Sequence, residues 1–148
     1  MSLVIRIDGE PIGQRRPQFS RFSWGRPLAV PRAIDPAQCR AWKERARGIY
    51  LHAVRASGLA RPTFPSGPLE VSILAVFACL ERDVRVRVPA ARRWKDTKPD
   101  PDNVIKICLD PGNGILWKDD GQVARVSIDR WFGAQDEDPF LELTVRAL

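Results

Sequence analysis

The chain has 148 residues, the length of one ordinary domain, and a formal net charge of +6 at pH 7. Its longest apolar run, VSILAVFACL, is too short to cross a bilayer, and MSLVIRIDGE lacks the charged-then-apolar pattern of a secretory signal. The three cysteines are far apart and without CxxC spacing, which argues against a disulfide framework or a cysteine zinc site. We predict a single domain over residues 1–148, with reduced thiols, no membrane contact and a cytoplasmic location.

The first half of the chain predicts a strand, a long loop and a helix. Residues 3–8 alternate with the two-residue period of a short strand. Residues 9–33 are dense in Gly, Pro, Arg and aromatics, a composition that predicts a long basic loop with a binding role. Asp35 is the predicted N-cap of a helix whose first helical residue is Pro36 and which ends near Gly58.

The second half predicts a further helix between three strands. The apolar run at residues 69–80 is typical of a central strand, and a second basic segment follows at residues 81–98. Asp100 or Asp102 can cap a short helix whose first turn contains Pro101 and which must stop before Pro111. Alternating residues at 123–132 and 140–145 predict the last two strands.

The charges are unevenly distributed along the chain. Residues 1–98 contain 19 basic and 8 acidic side chains, whereas residues 99–148 contain 5 and 10. Of the 24 basic residues 19 are arginines, whose planar guanidinium groups bind phosphates in a bidentate manner. Charge alone leaves two interpretations open, a surface that binds a polyanion such as nucleic acid and a merely solvated basic surface.

Five aspartates lie in the stretch KPDPDNVIKICLDPGNGILWKDDGQV, residues 98–123. On a helical wheel, Asp102, Lys106 and Asp110 share one edge, and the apolar residues cover the other side. Asp119 and Asp120 follow the PGNG turn and can reach the same place if the next strand runs beside the helix. Clustered carboxylates need a cation, and oxygen ligands favour Mg²⁺, with Mn²⁺ as the alternative, over zinc.

Three familiar roles of acidic stretches fit this one less well. An EF-hand is excluded because Val104 and Ile105 occupy its fifth and sixth positions, and a nucleotide-sugar DxD site needs a larger fold. Helix capping accounts for Asp100 and Asp102 and leaves Asp119 and Asp120 without a role. The only histidine, His52, is predicted to be a surface or packing residue.

A metal site within a basic surface predicts hydrolysis of a nucleic-acid backbone, with Lys106 neutralising the phosphate or assisting the leaving group.

The segments KPDPDNVIKICLD and WKDDGQV resemble the RusA-type Holliday junction resolvases, and GEPIGQRRPQFSRF resembles the opening strand and basic loop of that family. The resemblance implies a homodimeric, Mg²⁺-dependent endodeoxyribonuclease that nicks four-way DNA junctions symmetrically. It also implies an α/β (α+β) fold, with a small mixed sheet of about four strands and two main helices on one face. Its catalytic residues fall on Asp100, Asp102, Asp120 and Lys106, with Asp119 as a further metal ligand and Asp110 in support.

Two rival functions remain open, a catalytically silent dimer that binds branched DNA and a related nuclease that cuts flaps or forks. The residues predicted to bind DNA are basic and lie in the two basic segments: Arg15, Arg16, Arg92, Arg93 and Lys98. The predicted dimer contact lies near five aromatic residues at loops and strand ends: Phe22, Trp24, Trp94, Trp131 and Phe132.

Overall fold

The computed structural model describes the backbone of residues 1–148 and the side chains of all of them except Leu28. The chain forms seven strands and two α-helices in a mixed α+β fold. The elements are β1 (Ser2–Asp8), β2 (Gln18–Ser23), β3 (Arg26–Ile34), α1 (Ala37–Ala56), β4 (Leu69–Phe77), β5 (Arg93–Trp94), α2 (Pro101–Leu109), β6 (Val123–Phe132) and β7 (Phe140–Ala147).

The main sheet has five strands in the order β1-β7-β4-β6-β5. Strands β4 and β6 are parallel, whereas the other neighbouring pairs are antiparallel. The apolar run that begins at Leu69 is the central strand, as predicted, and it ends at Phe77. The sheet exceeds the four predicted strands because the two residues of β5 pair with the end of β6.

Both helices cover one face of this sheet. In β1 the side chains of Leu3, Ile5 and Ile7 are buried, and their neighbours in sequence are exposed. The buried stripe of α1 recurs at helical spacing, and α2 contributes three more residues to the same core: Cys39, Trp42, Ala46, Tyr50, Val54, Val104, Ile107 and Cys108. Alternation in the strands and a 3.6-residue period in the helices therefore meet in one core, which confirms the predicted fold class.

The prediction of a long loop over residues 9–33 was wrong, because much of it is the β2–β3 hairpin. This hairpin is a separate two-stranded sheet in which Gln18 pairs with Ile34 and Ser23 with Arg26. Trp24 and Gly25 form its two-residue turn, with φ of 53° and 74°. Positive φ at both turn positions matches the twist of a hairpin. Prolines are tolerated in β3 because each strand of an isolated hairpin has a free edge.

The predicted cap of the first helix was also wrong. Helix α1 begins at Ala37 and has Pro36 at its N-cap, without a capping side chain. The carboxylate of Asp35 instead accepts hydrogen bonds from Lys43 Nζ at 2.8 Å and Gln14 Nε2 at 3.1 Å. Among the described helices, none is both long enough and apolar enough to cross a membrane.

The exposure of single side chains bears on three further predictions. Cys39 and Cys108 are buried free thiols, and Cys79 is a half-buried free thiol, as the absence of a disulfide framework requires. His52 is an exposed residue of α1. Of the five aromatic residues expected near a dimer surface, Phe132 is buried in the core, whereas Phe22, Trp24 and Trp94 are exposed.

Candidate active site

The start of α2 carries the first pair of predicted site residues. Asp100 occupies the N-cap position and Asp102 lies in the first turn, and both are exposed. Asp100 makes no capping hydrogen bond, and neither carboxylate forms an ion pair with any described side chain. Lys106 is exposed one turn later, on the edge of α2 that Asp102 occupies. The positive end of the helix dipole favours negative charge at this position.

Arg130 of β6 holds the loop that leads into α2. Its Nη1 donates hydrogen bonds to the carbonyl oxygens of Thr97 at 3.1 Å and Pro99 at 2.6 Å. Arg130 faces the helices, because it pairs with Ala75 of β4, which belongs to the core. Arg130 was not among the predicted site residues, although an arginine at a core-facing position of a strand is the kind of pattern that could have revealed it. Arg130 therefore fixes the backbone that precedes Asp100.

The N-terminal segment holds the first turn of α2 from the other side. The backbone N–H of Gln14 donates to the backbone carbonyl oxygen of Asn103 at 2.9 Å. A Cβ placed on Gly13 would lie 3.2 Å from Asn103 Cβ and would clash with Pro99. Only glycine allows this close approach, so the conformation of the segment and the position of Asp100 are linked.

A groove of about 490 Å³ lies beside Asp100. Arg15 and Lys98, which were predicted to bind DNA, line this groove together with Lys95 and Glu10. Lys95 Nζ lies 4.7 Å and 4.3 Å from the ring centroids of Phe77 and Phe132. Burial lowers the pKa of Lys95, and the positive charges of Arg130 and Arg93 lower it further. Glu10 and Asp96 oppose this shift. Three basic and two acidic side chains line the groove: Arg15, Lys95, Lys98, Glu10 and Asp100.

Arg92 and Arg93, which were also predicted to bind DNA, have partners within the protein. Arg92 forms a bidentate ion pair with Glu137, with Nε donating to Oε2 and Nη2 to Oε1, and this hydrogen bonding raises the pKa of Arg92. Arg93 donates to Asp83 at 3.1 Å and lies 4.7 Å from the ring centroid of Phe132. Arg92 and Arg93 are therefore less available to phosphates than Arg15, Arg16 and Lys98, whose side chains are exposed and without ion pairs in the described chain.

Asp110 belongs to an ion-pair cluster between the two helices. Lys43 Nζ of α1 lies 2.6 Å from Asp110 and 2.8 Å from Asp35. Burial opposes the charge of Lys43, but its hydrogen bonds to the two carboxylates outweigh burial and leave the pKa of Lys43 above its usual value. The hydrogen bond from Lys43 lowers the pKa of Asp35. Asp110 thus joins α1 to the end of α2.

The second acidic pair lies in a short turn before β6. Asp119 caps a single 3₁₀ turn, Asp120–Gln122, with its Oδ1 accepting from the Gly121 amide at 2.9 Å. Gln122 completes a capping box, since its Oε1 accepts from the amides of Lys118 and Asp119. Asp120 is half-buried, and its carboxylate has no ion pair among the described residues.

The structure does not bring the two acidic pairs together within one chain. Helix α2 begins beside Arg130, near the end of β6, whereas Asp119 and Asp120 precede Val123 at its start. Val123 and Arg130 are seven residues apart, or about 23 Å at roughly 3.3 Å per residue. Within the described residues, no three His, Cys, Asp or Glu side chains are close enough to share an ion. This separation arises because α2 carries the chain back along β6 before that strand begins.

Comparison with known proteins gives two findings. The family model described as Endodeoxyribonuclease RusA matches residues 8–146 of the chain. A protein of Bacillus subtilis (strain 168) described as "Uncharacterized protein YqaN" is 26% identical over 150 residues, which cover 97% of this chain and 95% of that protein. The match to the family model spans both acidic pairs and the β2–β3 hairpin.

Proposed function

The chain belongs to the RusA endodeoxyribonuclease family, and on that basis we propose that it is a Mg²⁺-dependent nuclease that resolves four-way DNA junctions by paired symmetric nicks. The observation that carries the proposal is the exposed pair Asp100 and Asp102 at the start of α2, beside a groove lined by Arg15 and Lys98. A cation-lined groove suits a DNA backbone, and adjacent carboxylates suit the metal ion that a phosphodiesterase needs.

The donor set at α2 fits Mg²⁺, with Mn²⁺ as the alternative. Mg²⁺ prefers oxygen ligands, keeps several waters and is commonly held by one or two carboxylates together with substrate phosphates. Asp100 and Asp102 offer carboxylate oxygens that are free of ion pairs with described side chains. When bound, the ion would polarise the scissile phosphate and activate a water molecule. Lys106 would place a positive charge beside the same phosphate.

The second acidic pair would complete the site through a homodimer. Asp119 and Asp120 precede Val123 at the start of β6, whereas Asp100 follows the loop held by Arg130, about 23 Å further along that strand. A twofold axis can bring the second pair of one copy to the first pair of the other, and it does so twice. Two equivalent sites match the approximate twofold symmetry of a four-way junction, which needs one nick in each of two strands.

We expect the protein to be a dimer in solution. Light scattering at micromolar concentration should give about twice the chain mass of 16.7 kDa. The measurement should be repeated with an uncut junction in metal-free buffer, because DNA can hold two copies together. A monomer under both conditions would contradict the paired-nick mechanism.

Cleavage assays with branched and linear substrates test the proposed activity. Labelled four-way junction, flap and linear duplex of matched sequence are incubated with and without Mg²⁺. We expect metal-dependent nicks at symmetric positions of the junction, with 5′-phosphate and 3′-hydroxyl ends. Preferential cutting of the flap would favour the flap or fork nuclease, and tight junction binding without cutting would favour the silent DNA-binding dimer.

The salt dependence of DNA binding should separate arginines that contact phosphates from arginines with partners in the protein. Each neutralised phosphate contributes about −0.9 to the slope of log affinity against log salt. Replacing Arg15 or Arg16 by Ala should flatten the slope by roughly one. The same change at Arg92, which is paired with Glu137, is the matched control and should flatten it less. Slopes that stay equal to the wild-type slope in the Arg15 and Arg16 variants would assign both residues to the solvated surface.

A further inference from the structure

The β2–β3 hairpin is a basic arm outside the main sheet. The hairpin and the segment that leads into it, residues 11–34, contain five arginines and no acidic residue: Arg15 and Arg16 before the hairpin, and Arg21, Arg26 and Arg32 within it. All five are exposed, and the ion pairs among described side chains involve other cations. Because no described carboxylate neutralises these arginines, the arm is suited to binding a polyanion.

The tip of the arm presents an aromatic ring to solvent. Trp24 is 99% exposed, and Phe19 and Phe22 are also exposed, at 74% and 61%. By contrast, Trp94 of the main sheet stacks on Trp131 with ring centroids 3.5 Å apart. Trp24 has φ of 53°, a conformation that L residues seldom adopt. A fully exposed tryptophan at the end of a basic ribbon is a large apolar surface without a partner in the chain.

We propose that the β2–β3 hairpin recognises the branch point of the DNA, with Trp24 stacking on a base at the strand exchange. This inference rests on the proposed function, because it assigns the element that distinguishes branched from linear DNA. A two-stranded ribbon is narrow enough to enter the major groove, where its arginines would contact flanking phosphates. Base–aromatic stacking tolerates any sequence, as recognition of a branch requires. In a linear duplex the bases are already stacked on each other, so the ring has no free base face to cover.

Charge favours DNA over a second copy of the chain as the occupant of this arm. A twofold contact is formed by the same surface on both copies, so a contact between two hairpins would bring together two sets of three arginines, Arg21, Arg26 and Arg32. Residues 11–34 have no carboxylate to offset that repulsion. The phosphates of DNA would neutralise it directly.

Binding of an uncut junction and a matched duplex in metal-free buffer tests the inference. Trp24→Ala should weaken junction binding about tenfold, the loss expected when one stacked base is given up, and should change duplex binding less than twofold. Trp24→Phe should restore most of the affinity. Val86→Ala is the control, because it removes a fully exposed apolar side chain outside the arm. Trp24 makes no core contact, so these variants should fold normally.

A fluorescent base analogue provides a second readout. 2-Aminopurine placed at the branch point should change its emission when the wild-type protein binds, and Trp24→Ala should remove most of that change. If wild type cuts the junction but Trp24→Ala leaves both affinity and emission unchanged, the inference is overturned and the proposed function stands. Conversion of Trp24→Ala to a monomer would also overturn the inference, because the tip would then be a dimer contact. Equal wild-type binding of junction and duplex would overturn the inference alone, whereas failure of the wild type to cut the junction with Mg²⁺ would overturn the proposed function.

Discussion

Replacing Asp100 or Asp102 by Asn is expected to reduce junction cleavage at least about a hundredfold while junction binding is retained. The substitution keeps the shape of the side chain but removes the charge that would hold the metal ion. Metal catalysis supplies several kcal/mol of transition-state stabilisation, and each ~1.4 kcal/mol corresponds to a factor of ten in rate. Both side chains are exposed and are not required for capping, so the fold should be unaffected.

Initial cleavage rates and junction affinities of the purified variants check this expectation. Asp129→Asn is the matched control, because Asp129 is an exposed aspartate of β6 outside both acidic pairs. Asp120→Asn should reduce cleavage to a similar extent if the second acidic pair is part of the site. Loss of binding together with cleavage would contradict a metal role, and normal cleavage by Asp100→Asn would exclude that residue from the site.

Mixed dimers test whether each site combines residues from two copies. Asp100→Asn and Asp120→Asn proteins should each be inactive alone. In a mixed dimer with shared sites, one site carries both substitutions and the other carries neither, so nicking of one strand should return. If each site lies within a single chain, both sites of the mixed dimer remain damaged. No recovery, once exchange of subunits has been demonstrated, would contradict the shared site.

Replacing Trp117 by Ala is expected to lower the free energy of unfolding by about 3–5 kcal/mol, the usual cost of deleting a buried Trp side chain. Trp117 is fully buried, and its Nε1 donates to Asn113 Oδ1 at 2.9 Å. Its ring also packs against Gly112, where any Cβ would clash. The loss is a large part of the roughly 5–15 kcal/mol that stabilises a typical domain.

Urea denaturation of the wild type and the variant measures this loss. Trp94→Ala should have a much smaller effect, because Trp94 is 57% exposed. Trp117→Phe should be intermediate, since it keeps part of the apolar contact but loses the hydrogen bond. A cost below about 1 kcal/mol for Trp117→Ala would place this side chain outside the cooperative core.

The sequence was sufficient to assign the short motif around α2, but it could not show whether Asp120 lies beside that motif. The spacing of Asp100, Asp102 and Lys106 is local, so a helical wheel sufficed to place Asp102 and Lys106 on one exposed edge. The position of Asp120 depends on the direction in which α2 and β6 pack. Sequence periodicity identifies the buried side of an element but not which end of it meets a distant segment.

Local signals in the sequence were sufficient for the four long strands of the main sheet, the bounds of α2 and the end of α1, because periodicity and helix-breaking residues act over a few neighbours. Three other features arise only when the chain packs. The basic segment folds as a hairpin through pairing of Gln18 with Ile34, Asp35 binds Lys43 instead of capping α1, and Arg130 holds the loop before Asp100. Each depends on which partner a residue meets when the chain packs, at separations from eight residues for Asp35 and Lys43 to 31 for Arg130 and Pro99, and composition and local spacing do not specify such contacts.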